Sequence, residues 1–224
     1  MEKTSKKYWD SIKVGSIVQL DDQQTLEFLI EKGFEGIEHG ADFEVKRIKD
    51  ISEQDNLAIW RIIYIEFKEI LWYLVIKMID GENQLRIYYQ PDDFDCGNRE
   101  DMINNYSEYL FKHIEDMDNC NLNDLEFADS IMDHEFEYTS EGVFYGASVE
   151  DGKEDFATVV EYATDTECEN PYLLVLELCN VETIEQYDED DDVCGSETDI
   201  DFNNGFIMLL QGCDVNINDI EVLN

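Results

Sequence analysis

The residues best able to do chemistry in this chain are carboxylates, and they come in runs. Asp188, Glu189, Asp190, Asp191 and Asp192 follow one another directly, and Glu197, Asp199 and Asp201 continue the series at wider spacing. Adjacent carboxylates repel, so the run 188–192 favours an extended loop that is solvated or neutralised by cations. A disordered surface loop is the plainest expectation for it. Its functional counterpart is a loop that follows a groove lined with Arg and Lys on a partner protein, taking the place of a phosphate backbone.

Two further patterns place oxygen ligands at alternate positions. Asp199, Asp201 and Asn203 with Gly205 imitate the opening of a calcium loop, but the glycine comes one position late and Leu210 stands where a bidentate Glu is needed. Asp214, Asn216 and Asn218 repeat the alternation, again without a completing ligand. Incomplete sets of this kind support weak, adventitious divalent binding, so no cofactor and no dedicated metal site is expected. His39, His113 and His134 lie far apart and belong to no HExxH pattern. There is no nucleophile elbow, P-loop or GxGxxG, and among 55 Asp+Glu no acid/base pair can be singled out. An enzyme is not expected.

The charge has a direction along the chain. The 224 residues carry 15 Lys+Arg against 55 Asp+Glu, a formal charge of −40. Residues 1–99 hold 13 of the basic and 20 of the acidic side chains, net −7, which leaves −33 on residues 100–224. Salt-adapted proteins spread acid evenly and shed Lys and bulky apolar groups; this chain keeps 11 Lys and many Ile, Phe and Tyr, so a local field aimed at a cationic partner fits better. The same field repels phosphates, which disfavours direct binding to nucleic acid or anionic membrane. Trp60, Tyr64, Trp72, Tyr73, Tyr88 and Tyr89 resemble a base-stacking platform, yet the half that holds them is itself negative. Packing and cross-strand pairing are the expected use of these rings.

A hydrophobic fraction of 43% with 12 Phe and 12 Tyr is too apolar for an acidic disordered tail, so the chain should fold. The first half is expected to be β-rich. Strands are expected at Ile12–Leu20, around Phe43–Arg47, and at Leu57–Phe67, Ile70–Ile79 and Gln84–Tyr89, with Asp80-Gly81 suited to a tight hairpin turn. Asp21 caps a short helix in which Leu26, Leu29 and Ile30 share a face, and Gly33 ends it. The period then changes, and Ile103, Tyr106 and Leu110 mark a helix over 99–115. Residues 116–124 read as a linker.

Strand patterns return at Glu135–Tyr138, Val143–Val149, Phe156–Ala163, Tyr172–Val181, Phe206–Gln211 and Val215–Val222, with Ser140-Glu141-Gly142 as a second hairpin turn. In Phe156–Ala163, Val159 is expected to pack inward and Glu161 to point outward. The fold class is therefore α+β and predominantly antiparallel. It comprises a curled sheet or small barrel in 1–115, a highly acidic β-rich module in 125–224, and one or two amphipathic helices.

Cys96, Cys120, Cys168, Cys179, Cys194 and Cys213 form no tight pairs, and the N-terminal lysines precede no apolar stretch, so free thiols and a soluble, cytoplasmic chain are expected. The expected function is that of an acidic binding or inhibitory protein. It would occupy the basic, nucleic-acid-binding surface of a partner enzyme, as an anti-defence inhibitor or as an immunity protein neutralising a nuclease toxin. The alternatives are a metal-dependent hydrolase with an acidic cleft and an acidic structural or solubility protein.

Self-repulsion at −40 opposes compaction, and salt screens it over a Debye length of ~10 Å at 0.1 M. The melting temperature should rise between low and moderate NaCl, with Mg²⁺ or Ca²⁺ acting at lower concentration. A melting temperature that stays flat in both titrations contradicts this.

Overall fold

The structure, a computed structural model, describes residues 5–20, 23–31, 34, 37, 41–52, 58–79, 82–90, 97–98, 139–150, 153–163, 172–187 and 193–223. Its elements in chain order are α1 (Lys6–Trp9), β1 (Ile17–Leu20), α2 (Gln23–Glu31), β2 (Ala41–Ser52), β3 (Ala58–Phe67), β4 (Ile70–Ile79), β5 (Glu82–Tyr89), β6 (Gly97–Asn98), β7 (Thr139–Glu150), β8 (Lys153–Ala163), β9 (Tyr172–Tyr187), β10 (Val193–Asp214) and β11 (Glu221–Leu223). Ten strands form one hydrogen-bonded path, β11-β1-β2-β3-β4-β5-β10-β9-β8-β7, and β6 joins it beside β10. The described pairings are all antiparallel, as the sequence led one to expect. The strands of the first half do not form a small barrel of their own: β5 passes directly to β10, so the sheet runs through both halves. The helix expected over 99–115 and the linker at 116–124 lie outside the described residues.

The density of Ile, Trp, Tyr and Val in β3–β5 follows from burial on both faces. Ile63, Ile65, Trp72, Leu74, Ile76, Leu85 and Ile87 belong to a first core. Trp9, Ile12, Leu26, Leu29, Phe34 and Ile37 cover it from the N-terminal segment and α2. The alternate residues Trp60, Ile62, Tyr64, Tyr73, Val75 and Tyr88 enter a second core with Ala157, Val159, Leu174, Leu176, Met208 and Leu210. Period-two alternation thus divides each central strand between two apolar environments. The six aromatic rings singled out above pack into or against these cores, the use expected of them.

Strand β2 takes part in both faces through a bulge. Val45 pairs with Ile65 but Arg47 pairs with Tyr64, so one residue is inserted between them. The insertion reverses which residues of the strand face which core. Phe43 and Val45 accordingly lie in the first core and Ile51 in the second. Beyond the bulge, Asp50, Ile51 and Ser52 also pair with Val149, Ser148 and Ala147 of β7.

Several local expectations are corrected. Only Ile17–Leu20 of the stretch 12–20 is a strand; before it the chain turns through Gly15, whose φ of +87° suits glycine. Ile30 does not share the buried face of Leu26 and Leu29 and is exposed. Ser140-Glu141-Gly142 is not a turn. It lies inside β7, where a register shift between Ser140 and Gly142 absorbs the irregularity, and the hairpin instead joins β7 to β8 across residues 151–152. The stretch 215–222 is broken by a 3₁₀ turn at Ile217–Asp219, because the Asn216 side chain accepts a hydrogen bond from the Asn218 amide at 3.0 Å. Thr25 donates to Asp219 at 2.7 Å and so ties α2 to this turn.

Candidate functional site

The described polar centre of the molecule is built around a residue whose orientation the sequence pattern misassigned. Residues two apart on a strand share a face, so Glu161 must lie on the same side as Ala157 and Val159. All three are fully buried, at 0% exposure. Glu161 does not point outward. It enters the second core because three donors meet it there.

Each donor is placed by its strand. Lys77 follows Tyr73 and Val75 on the inner face of β4, and its Nζ lies 2.8 Å from Glu161 Oε2. Arg86 precedes Tyr88 on the same face of β5 and forms an ion pair with the same oxygen. The Tyr88 hydroxyl donates to Glu161 Oε1 at 2.6 Å. Tyr88 keeps its position because the paired residue on β10 is Gly212, where a Cβ would fall 2.5 Å from the Tyr88 ring and 2.5 Å from the Ile87 carbonyl oxygen. Lys77 Nζ also lies 4.9 Å from the centroid of the Trp60 ring, and Arg86 stacks on Tyr172 with its guanidinium carbon 3.5 Å from that ring's centroid.

Arg86 carries the cluster towards the surface. Its Nε donates to Asp214 Oδ1 at 3.1 Å, and the Tyr172 hydroxyl donates to Asp214 Oδ2 at 2.8 Å. The Asp214 side chain is 63% exposed, so the network ends in solvent.

The electrostatics follow from these contacts. Burial by itself disfavours the Glu161 carboxylate, but the positive charges of Arg86 and Lys77 outweigh it and hold the group below the usual carboxylate range. Burial would also lower Arg86, and Glu161 reverses that, so its guanidinium is held more firmly protonated than usual. Burial and the adjacent Glu161 charge push the Tyr88 phenol well above its ordinary value. An ionised carboxylate that already accepts three donors makes a poor general base. The cluster is suited to holding strands together, not to proton transfer.

A third buried cation binds the N-terminal segment. Arg61 Nη1 lies 3.2 Å from Asp10 and 3.3 Å from Asp50, and its Nη2 donates to the Ile12 carbonyl at 3.4 Å. Lys49 is buried as well. Among the described residues four cations are thus buried, all from the first half, against the one buried carboxylate Glu161.

The residues singled out in the sequence are placed unevenly. Asp188, Glu189, Asp190, Asp191 and Asp192 lie outside the described residues, as do the three histidines. Glu197, Asp199 and Asp201 fall on β10, at register positions opposite Ile184, Glu182 and Asn180 of β9. The register then breaks between Asp201 and Phe206, so the calcium-like stretch lies across an irregularity in the strand. The other alternating set is used internally, with Asp214 held by Arg86 and Tyr172 and Asn216 capping the 3₁₀ turn. Cys179 and Cys213 are buried. The signals that sequence reasoning passed over were Lys77 and Arg86, cations at alternating positions within otherwise apolar strands, which need a buried counter-charge.

Compared with protein-family models, curated proteins and solved structures, the chain matches none. No helix among the described residues is long and apolar enough to cross a membrane.

Removing the Tyr88 hydroxyl deprives a buried carboxylate of one donor. Tyr88→Phe should lower stability at neutral pH by about 1.5–3 kcal/mol, the range for a hydrogen bond to a charged group. It should also weaken the loss of stability above about pH 10, where the unfolded chain's Tyr88 ionises and the folded one does not. Chemical denaturation across pH checks both, and an unchanged profile contradicts the assignment.

Proposed function

We propose that this chain is an acidic binding or inhibitory protein that occupies the basic, nucleic-acid-binding surface of a partner protein. The observation that carries this reading is the sorting of charge between interior and surface. Among the described residues Lys49, Arg61, Lys77 and Arg86 are buried, and Glu161 is the one buried carboxylate. Setting these five residues aside leaves 11 basic and 54 acidic side chains, so the remainder of the chain carries −43, more than the −40 of the whole. Cations that could have neutralised the surface are used inside.

A field of that strength steers a cationic partner towards the chain and competes with the polyanion the partner normally binds. The steepest part of the field belongs to residues 100–224. Asp188–Asp192 together with Glu197, Asp199 and Asp201 are its densest carboxylate series. Anti-defence inhibition and toxin immunity both use this mechanism. A hydrolase with an acidic cleft is separated from it by turnover, and a purely solubilising role by the absence of any salt-released partner.

Capture from a cell lysate at low salt should retain a basic nucleic-acid-handling protein that high salt releases. For that partner, changing Asp188, Asp190, Asp191 and Asp192 together to Asn should slow association by roughly tenfold and flatten its salt dependence, with the fold intact. Single changes should matter little, because an exposed ion pair contributes only ~0.2–1 kcal/mol. An equal effect from neutralising Asp21, Asp22, Glu35 and Glu38 shows a global field with no special role for the loop. No effect from either set overturns the charge-based account.

A further inference from the structure

The two cores share β3–β5, but they depend differently on β7 and β8. The first core draws its described buried side chains from Trp9 to Ile87 and from Cys213 to Ile220, with none from β8 or β9 among the described residues. The second takes Ala157 and Val159 from β8 and Leu174 and Leu176 from β9. β8 pairs with β9 on one side and β7 on the other. Among the described residues β7 also pairs with Asp50–Ser52 of β2. Glu161 on β8 is the residue that ties this hairpin by charge to β4 and β5.

We infer that Glu161 is an electrostatic latch for the β7–β8 hairpin, closed while its carboxylate is ionised and released, with the first core still folded, when that charge is removed. Neutralising Glu161 removes the buried charge that Lys77 and Arg86 share and leaves the two cations close together with less compensation, an unfavourable arrangement away from water. Opening the hairpin gives both cations access to solvent. It would uncover Ala157 and Val159 of β8 and the facing side chains of the second core, among them Trp60 and Ile62.

The groups that face Glu161 are Lys77 from β4 and Arg86 and Tyr88 from β5, with Tyr172 of β9 and Asp214 of β10 one contact further out through Arg86. Because these cations hold the folded carboxyl below its unfolded value, the latch is fully effective above the ordinary carboxylate range and is lost as pH falls through the lowered one. Protonation of surface carboxylates acts in the opposite sense, since it relieves self-repulsion across the whole molecule. Acid should therefore open this hairpin before the remainder unfolds. The latch rests on the described contacts and requires no particular partner.

Hydrogen exchange read by mass spectrometry on the full chain tests it. In Glu161→Gln at neutral pH, peptides from 139–163 should exchange ~100-fold faster or more, the scale expected when a buried ion pair loses one member, while 58–79 keeps its protection. Wild type should acquire the same pattern on acidification, and Glu161→Gln should gain little further. In the double variant Lys77→Met with Glu161→Gln, Arg86 retains Asp214 as its counter-charge, so protection of 139–163 should return towards wild type. Unaltered protection of 139–163 in Glu161→Gln overturns the latch. So does equal loss over 58–79, which makes the cluster a support for the whole molecule, and so does failure of the second substitution to restore protection, which makes the effect one of packing.

Discussion

A carboxylate removed from water loses several kcal/mol of hydration free energy, and proteins tolerate this only where charge and hydrogen bonds replace what was lost. Glu161 meets that condition through Lys77, Arg86 and Tyr88. The requirement constrains much of the second core. Lys77 and Arg86 must stand on the same face of adjacent strands β4 and β5, and β8 must lie against that face. Gly212 must leave room for the Tyr88 ring. Leu174, Leu176, Met208 and Leu210 exclude water around the cluster, which strengthens each of its contacts. The apolar side chains are ordinary for a sheet, but the ionic cluster selects one arrangement of them: a sheet displaced so that Glu161 missed its donors would bury that carboxylate uncompensated.

This constraint also organises the chain's charge. The first half supplies the buried cations and the second half the buried carboxylate, so the two parts of a sequence that differ so strongly in charge are joined at the point where opposite signs meet. On the other face of β3, Arg61 joins Asp10 of the N-terminal segment to Asp50 of β2, a contact within the first half. Among the described residues four of the chain's 15 cations are buried in this way. The proposed role as a ligand for basic surfaces is then a consequence of how the fold uses its few cations.

Much of the fold was legible from local pattern. Asp80-Gly81 marked the hairpin between β4 and β5, and the apolar runs at 57–67 and 70–79 gave two central strands within a residue or so of their limits. The misreadings have a common cause. Asp151-Gly152 is the same dipeptide as Asp80-Gly81 and lies between β7 and β8 in the sequence, whereas Ser140-Glu141-Gly142 falls at a register shift inside β7, since a bulge and a turn draw on similar residues. The bulge in β2 was invisible, since nothing in Val45-Lys46-Arg47 announces that the strand exchanges faces.

The site was less legible than the fold. Glu161 was read by polarity, which sends a carboxylate outward, when its spacing from Val159 sends it inward. Which of 55 acidic residues finds Lys77 and Arg86 depends on pairing across the path β4-β5-β10-β9-β8, and no local window contains that information. The account stands most directly on the ionisation of this one carboxyl group in the folded protein. An NMR titration that follows the side-chain carboxyl carbon of Glu161 should find it still ionised after the exposed glutamates have taken up protons, with its midpoint below theirs. A midpoint at or above theirs would mean that burial prevails over Arg86 and Lys77, and the interaction on which the rest depends would not exist.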